Sequence, residues 1–194
     1  HHCLLVGYGA DGINPYLAFE ALAHSRDAGL LDKDIDLVGD YRQAVAKGMH
    51  RPFLVADLPF MSYPSRELAL ANSVRLMQEG GARMVKLESG AEQVRIVEFL
   101  ASHDIAVCAH LGLRPQSVHK TGGFRVQGRE QDAAKRMLQT ALDLQSAGAD
   151  IVLLECIPAD LGSEITAALD VPVIGIGAGP GTNGQIQVIY DILD

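Results

Sequence analysis

Tryptophan is absent from this 194-residue chain and aromatic side chains make up only 5% of it, so any core must be filled by Val, Ile, Leu and Ala. That composition suits a buried parallel sheet, whose strands read as continuous aliphatic runs. Positive charge is also scarce. Sixteen Lys and Arg against 24 Asp and Glu leave a net −8, which argues against a nucleic-acid or anionic-membrane binder, since both need a basic surface. Cysteine is sparse: Cys3, Cys108 and Cys156 are an odd, widely spaced set, each within an apolar run. They read as reduced core thiols of a cytoplasmic protein. No apolar run reaches the roughly 18 to 20 residues of a membrane helix, and no charged segment leads into an apolar signal core. A soluble small-molecule enzyme is expected, with no nucleic-acid and no membrane partner.

With 48% hydrophobic residues the chain has ample material for a core. Short β-branched runs alternate with longer helical patterns, the signature of repeated βα units and a parallel sheet. Eight strands are expected: Cys3–Gly7, Asp36–Gly39, Phe53–Ala56, Met84–Leu87, Ala106–Ala109, Ile151–Leu154, Val173–Gly175 and Ile186–Tyr190. Asn14-Pro15 offers a helix cap followed by proline at the first helical position. Three further stripes follow: Leu70, Val74 and Met77 up to Gly80-Gly81; Val94, Val97 and Leu100; and Ala134, Met137, Leu138, Ala141 and Leu144 up to Gly148. Eight strands with intervening helices favour one (β/α)8 TIM barrel over residues 1–194, at a length lean for a fold that usually needs about 200 residues or more. Tyr41–Met49 is a short helix in this reading, and no closing helix follows the last strand.

In such a barrel, chemistry sits at the C-terminal ends of the strands. Asp40, Asp57, Lys86, Glu88, His110 and Glu155 all lie at the ends of apolar runs. Taken singly, each is an ordinary loop cap, surface ion pair or satisfied histidine. Repeated on successive strands, they point to a metal or acid–base site. Acids from neighbouring strands can converge on a hard cation such as Mg²⁺, which prefers oxygen ligands and keeps positions open for substrate. A 2-oxo acid could fill two of those positions and become acidified at the adjacent carbon, with a further carboxylate as general base. The Gly175–Gly181 run could instead cradle a phosphate or flavin, or simply allow a tight turn. Thr121–Arg129 reads as a lid, a cofactor-contact loop or an ordinary long loop.

Several motifs occur together and in order: Val55-Ala56-Asp57-Leu58-Pro59-Phe60-Met61, Met84-Val85-Lys86-Leu87-Glu88, His110-Leu111-Gly112-Leu113-Arg114-Pro115-Gln116-Ser117-Val118, Gly122-Gly123-Phe124-Arg125-Val126-Gln127-Gly128-Arg129, Leu154-Glu155-Cys156-Ile157-Pro158 and Gly175-Ile176-Gly177-Ala178-Gly179. On these residues the chain, over 36–194, resembles the ketopantoate (3-methyl-2-oxobutanoate) hydroxymethyltransferase family. The resemblance implies a barrel of the phosphoenolpyruvate/pyruvate superfamily type. It also implies transfer of a hydroxymethyl group from 5,10-methylenetetrahydrofolate to 3-methyl-2-oxobutanoate through a Mg-bound enolate, in pantothenate biosynthesis. The implied roles are Asp40, Asp57 and Glu88 for magnesium; Asp40, Asp57, Lys86 and His110 for substrate; and Glu155 as proton acceptor. A homo-oligomer is implied as well.

The resemblance has gaps. In the family the Val-Gly-Asp motif runs into a serine that helps bind the oxo acid and then a loop, whereas Tyr41 follows Asp40 here. The family also continues beyond the last strand. The opening differs: Cys3-Leu4-Leu5-Val6-Gly7-Tyr8-Gly9-Ala10 and Ile13-Asn14-Pro15-Tyr16-Leu17-Ala18-Phe19-Glu20-Ala21-Leu22, within residues 1–32, resemble a stretch of the glutamate synthase large subunit. The sequence therefore looks like a chimera. A catalytically silent chimeric scaffold and a flavin- or phosphate-binding barrel stand as the alternatives.

Overall fold

The computed structural model describes residues 53–188 except Gly122, together with Ala28 and Gly29. Contacts divide the chain into two units, 54–186 and 1–53 with 187–194, and the first carries every element described below. The expected strands Cys3–Gly7 and Asp36–Gly39, the helices after Asn14 and over Tyr41–Met49, and Asp40 all lie outside the described residues.

Within 54–186 the chain runs β1 (Val55–Asp57), α1 (Arg66–Gln78), β2 (Met84–Glu88), α2 (Val94–Ala101), β3 (Val107–Gly112), α3 (Val118–Thr121), α4 (Gln131–Ser146), β4 (Ile151–Glu155), α5 (Ala159–Ala168), β5 (Val173–Ile176) and β6 (Gly184–Gln185). All neighbouring strands are parallel and the order is sequential, β1 to β6. The fold is thus α/β with a parallel sheet. No helix among the described residues is long and apolar enough to cross a membrane.

Register explains how the sheet divides its side chains. Residues two apart share a face, and cross-strand partners share one too. Val85, Leu87, Val107, Ala109, Leu111, Val152, Leu154 and Val173 fall on one face and are buried with the helices in the main core. Met84, Cys108 and Leu153 fall on the other, forming a smaller apolar layer with Val55, Ile151 and Ile176. The polar residues of the site stand on this second face.

The helical stripes are largely as expected. Val97 and Leu100 of α2, and Ala141 and Leu144 of α4, are buried. In α1 the burial is displaced by one residue: Ala69, Ser73 and Leu76 are buried, while Leu70, Val74 and Met77 are half-buried at the edge of the core. Ala69 and Ser73 are small enough to sit where the helix lies nearest the sheet. The Ser65 hydroxyl caps α1 by accepting from the Leu68 N–H (3.3 Å). Helix α5 was not anticipated from the sequence, since its apolar signal is only Leu161 and Ile165, interrupted by Gly162. The start of the last expected strand, Ile186–Tyr190, is corrected: pairing occurs at Gly184–Gln185, where Ile174↔Gly184 and Gly175↔Gln185 are in register, so Ile186 follows the strand, and 189–190 lie outside the described residues. Just before β6 the Asn183 side chain accepts from the Val173 N–H (2.8 Å).

Candidate active site

Asp57, Glu88 and Glu155 are the last residues of β1, β2 and β4. Strand register aligns Asp57 with Lys86, Lys86 with Cys108, Glu88 with His110 and Gly112 with Glu155. All of these project from the face that carries Met84, Cys108 and Leu153, so the polar groups lie above an apolar floor. One expectation is corrected here. His110 does not follow its strand but lies inside β3, because Leu111 and Gly112 continue to pair with Leu154 and Glu155. Its side chain is accordingly only 2% exposed.

Two couples form on this surface. Lys86 Nζ lies 2.7 Å from Asp57 Oδ1, with the side chains 20% and 33% exposed. Burial alone would push the Lys86 ammonium down, but the charge and hydrogen bond of Asp57, aided by Glu155, outweigh it and hold it above the ordinary lysine range. Lys86 is therefore a fixed cation. Beneath it the Cys108 thiol is pushed up to about 12, by burial first and despite Lys86, so it is an inert filler. In the second couple His110 Nε2 approaches Glu155 Oε2 at 3.2 Å, an ion-pair contact when the ring is protonated. The approach falls short of a hydrogen bond, and both ring nitrogens of His110 are buried without one.

Glu88 is 7% exposed. Its Oε1 accepts from the Gln116 N–H (2.7 Å), while Oε2 is buried without a hydrogen-bond partner. Burial raises its carboxyl above the ordinary glutamate range, against the opposing effects of the Gln116 N–H, His110, Lys86 and Arg114. A cation would relieve this condition, since an unpaired oxygen on a buried carboxylate is costly unless it meets a positive charge. Among the described residues no three His, Cys, Asp or Glu are grouped closely enough to form a metal centre on their own. Glu88 also borders a cavity of about 580 Å³ that extends past Tyr63, Arg114 and Gln116 to the first turns of α1 and α2.

The glycine loop after β5 is occupied with packing. A side chain at Gly179 would run into Ala159, one at Gly181 into Ser163, and Gly162 of α5 faces the Ala178 carbonyl, so loop and helix touch backbone to backbone. The loop before α4 is tied down at its far end, where the Gln127 N–H donates to the Cys156 carbonyl (2.9 Å). Gln116 stands within one of the motifs quoted above and Tyr63 in none of them, and the sequence assigns neither a role. Neither changes charge near neutral pH, and only the fold brings them to Glu88.

The fold matches a solved structure, a "putative phosphonomutase" from Burkholderia cenocepacia J2315, with a TM-score of 0.62 over 98% of this chain and 83% of that one, at 14% identity. An α/β protein with acids along one end of a parallel sheet is the class so defined. The ketopantoate hydroxymethyltransferase family model matches residues 31–194, and the chain belongs to that family. Similar relatives are the 3-methyl-2-oxobutanoate hydroxymethyltransferases of Halorhodospira halophila (57% identical; 79% of this chain, 56% of the relative) and Alkalilimnicola ehrlichii (60%; 72% and 50%). The Vibrio cholerae relative is 54% identical over 81% of this chain and 60% of its own length. The chain spans about half the length of the curated relatives it matches. Residues 1–53 match a second model, the glutamate synthase central domain.

Proposed function

We propose that this protein is a Mg²⁺-dependent hydroxymethyltransferase of the cytoplasm, built as a single closed (β/α)8 barrel and working as a homo-oligomer. Its reaction would transfer the methylene carbon of 5,10-methylenetetrahydrofolate to 3-methyl-2-oxobutanoate, giving 2-dehydropantoate for pantothenate biosynthesis. The observation that carries this reading is the shared face on which the Lys86–Asp57 couple, the half-satisfied Glu88 carboxylate and the His110–Glu155 couple stand together.

Asp57 and Glu88, with Asp40 from outside the described residues, are the groups that would hold magnesium. The ion, when bound, supplies Lewis-acid polarisation of the keto group. Lys86 is a fixed cation suited to the substrate carboxylate, and with Asp57 it orients the oxo acid. Glu155 is the general base that takes the C3 proton. His110 lies against the Glu155 carboxylate and would face the substrate on that side. The carbanion at C3 then bonds to the folate methylene carbon, both carbon–nitrogen bonds of that methylene break, and water supplies the hydroxyl oxygen. The two folate nitrogens take up two protons, one from C3 and one from the water. Closing the site against bulk solvent would strengthen each of these interactions.

Hydrogen–deuterium exchange at C3 of 3-methyl-2-oxobutanoate tests the reading without folate. Exchange should require Mg²⁺ and fall by roughly 10²-fold or more in Glu155→Gln, the scale of losing a general base. Exchange that proceeds equally in Glu155→Gln, or its absence from the wild-type protein with magnesium, defeats the assignment.

A further inference from the structure

We infer that Gln116, together with Tyr63, is a positioning residue that braces the strand ends bearing Asp57 and Glu88 and directs Glu88 Oε2 into the site. The inference rests on the reading of Glu88 as a metal-holding carboxylate. Gln116 makes hydrogen bonds to three residues, Glu88 at the end of β2 and Leu58 and Tyr63 in the loop after β1. Its backbone N–H donates to Glu88 Oε1 (2.7 Å), its Nε2 donates to the Leu58 carbonyl (2.9 Å), and its Oε1 accepts from the Tyr63 hydroxyl (2.7 Å). The orientation of the amide follows from chemistry: a carbonyl can only accept, so Nε2 must face Leu58, which leaves Oε1 for Tyr63.

The placement of these partners gives the brace its effect. Leu58 directly follows Asp57, is fully buried, and donates its own N–H to the Lys86 carbonyl (2.8 Å). Anchoring its carbonyl therefore fixes the exit of β1 against β2 just beyond the Asp57–Lys86 couple. The Gln116 N–H comes from the 3₁₀ turn Pro115–Ser117, with proline at its first position. That N–H occupies one oxygen of Glu88 and leaves the other, buried and without a partner, as the one available to a cation. Tyr63 reaches across from the loop after β1, and its hydroxyl, pushed up to about 12 by burial and by the charge of Glu88, stays a donor. A carboxylate held in this way loses little rotational freedom when it binds a cation, and partners outside the ligand shell are typically worth about 10- to 100-fold in metal affinity.

The test uses the intact protein with Mg²⁺ as the probe in calorimetric titration, and the ¹⁵N–¹H resonance of residue 116 as a report on its bond to Glu88. Gln116→Ala should weaken Mg²⁺ binding by about 10- to 100-fold. Tyr63→Phe, a milder change, should weaken binding by a smaller factor and add nothing in the Gln116→Ala background. Loss of packing alone would lower thermal stability without moving the affinity. Wild-type affinity in a folded Gln116→Ala variant overturns the proposal; should that variant not fold, wild-type affinity in Tyr63→Phe does so. If the wild-type protein binds no Mg²⁺, the metal reading of Glu88 falls, and the Gln116 amide resonance in Tyr63→Phe alone then decides the brace: moved upfield it stands, unmoved it fails.

Discussion

Replacing Asp57 by Asn keeps the shape of the side chain and removes its charge, leaving Lys86 as a cation without its nearest counter-ion. At 2.7 Å and an effective dielectric near 20 the attraction is about 6 kcal/mol. Asp57 is one-third exposed, and water will hydrate part of what the substitution uncovers. The expected loss is therefore about 3 kcal/mol, the lower end for breaking one side of a buried pair. The pH dependence carries the sharper signature. In the wild-type protein the Lys86 pKa is raised on folding, so its stabilisation is complete below the unfolded value of 10.5 and is lost only as pH rises through the higher folded value. Without Asp57, burial dominates and the folded pKa drops below 10.5. Stability of the variant then rises with pH as Lys86 sheds its proton, and the gap to wild type narrows. Urea denaturation in the presence of a chelator at pH 7 and pH 10 reads both quantities. A difference below about 1 kcal/mol at pH 7, the scale of an exposed pair, or one that does not shrink at pH 10, refutes the argument.

Other consequences follow from the same geometry. Gly112 has φ +95, and a β-carbon there would collide with the Glu155 carbonyl and the Ile157 side chain. Gly112→Ala should displace Glu155 and slow C3 exchange while leaving Mg²⁺ affinity near wild type; unchanged exchange would show that this contact does not position the base. Leu154, fully buried on the helix-facing side of β4, should cost about 2–5 kcal/mol when cut to Ala, and a loss under about 1 kcal/mol in denaturant unfolding would contradict its place in the core. Asp40→Ala should weaken Mg²⁺ binding by more than about 100-fold, since even a partner outside the ligand shell is worth about 10- to 100-fold; titration of the variant checks this.

Short aliphatic runs made β2, β3, β4 and β5 legible in the sequence to within a few residues, because strands buried on both faces leave that pattern. The ends were harder. His110 looked terminal because it is polar, yet β3 continues through Leu111 and Gly112, which pair with Leu154 and Glu155. Polarity marks the end of a run of apolar residues, whereas pairing with the neighbouring strand marks the end of a strand, and at a functional site the two separate. Helix α5 escaped for the opposite reason: Gly162 sits inside it because the Ala178 carbonyl approaches there, so tertiary contact overrides helix propensity. Titratable site residues were legible one at a time as polar groups after apolar runs. Tyr63 and Gln116 were not, since a phenol and an amide give no charge signal and their partners lie more than 25 residues away in sequence.

The region that decides how complete the site is lies where the two family models overlap, residues 31–53. Asp40 is the only proposed magnesium residue in that overlap. Asp57 and Glu88 are held by interactions internal to 54–186: the Lys86 couple, the Gln116 N–H and the Leu58 anchor. Those two carboxylates should therefore keep their arrangement whichever family shaped residues 31–53. On the proposed reading, one oxygen from each of two carboxylates would leave an octahedral cation four positions for water and substrate, enough for weak binding but little selectivity for Mg²⁺ over a softer or larger ion. A third carboxylate from Asp40 would add both charge and a fixed direction. Metal selectivity, more than affinity alone, thus tests whether Asp40 belongs to the proposed magnesium set.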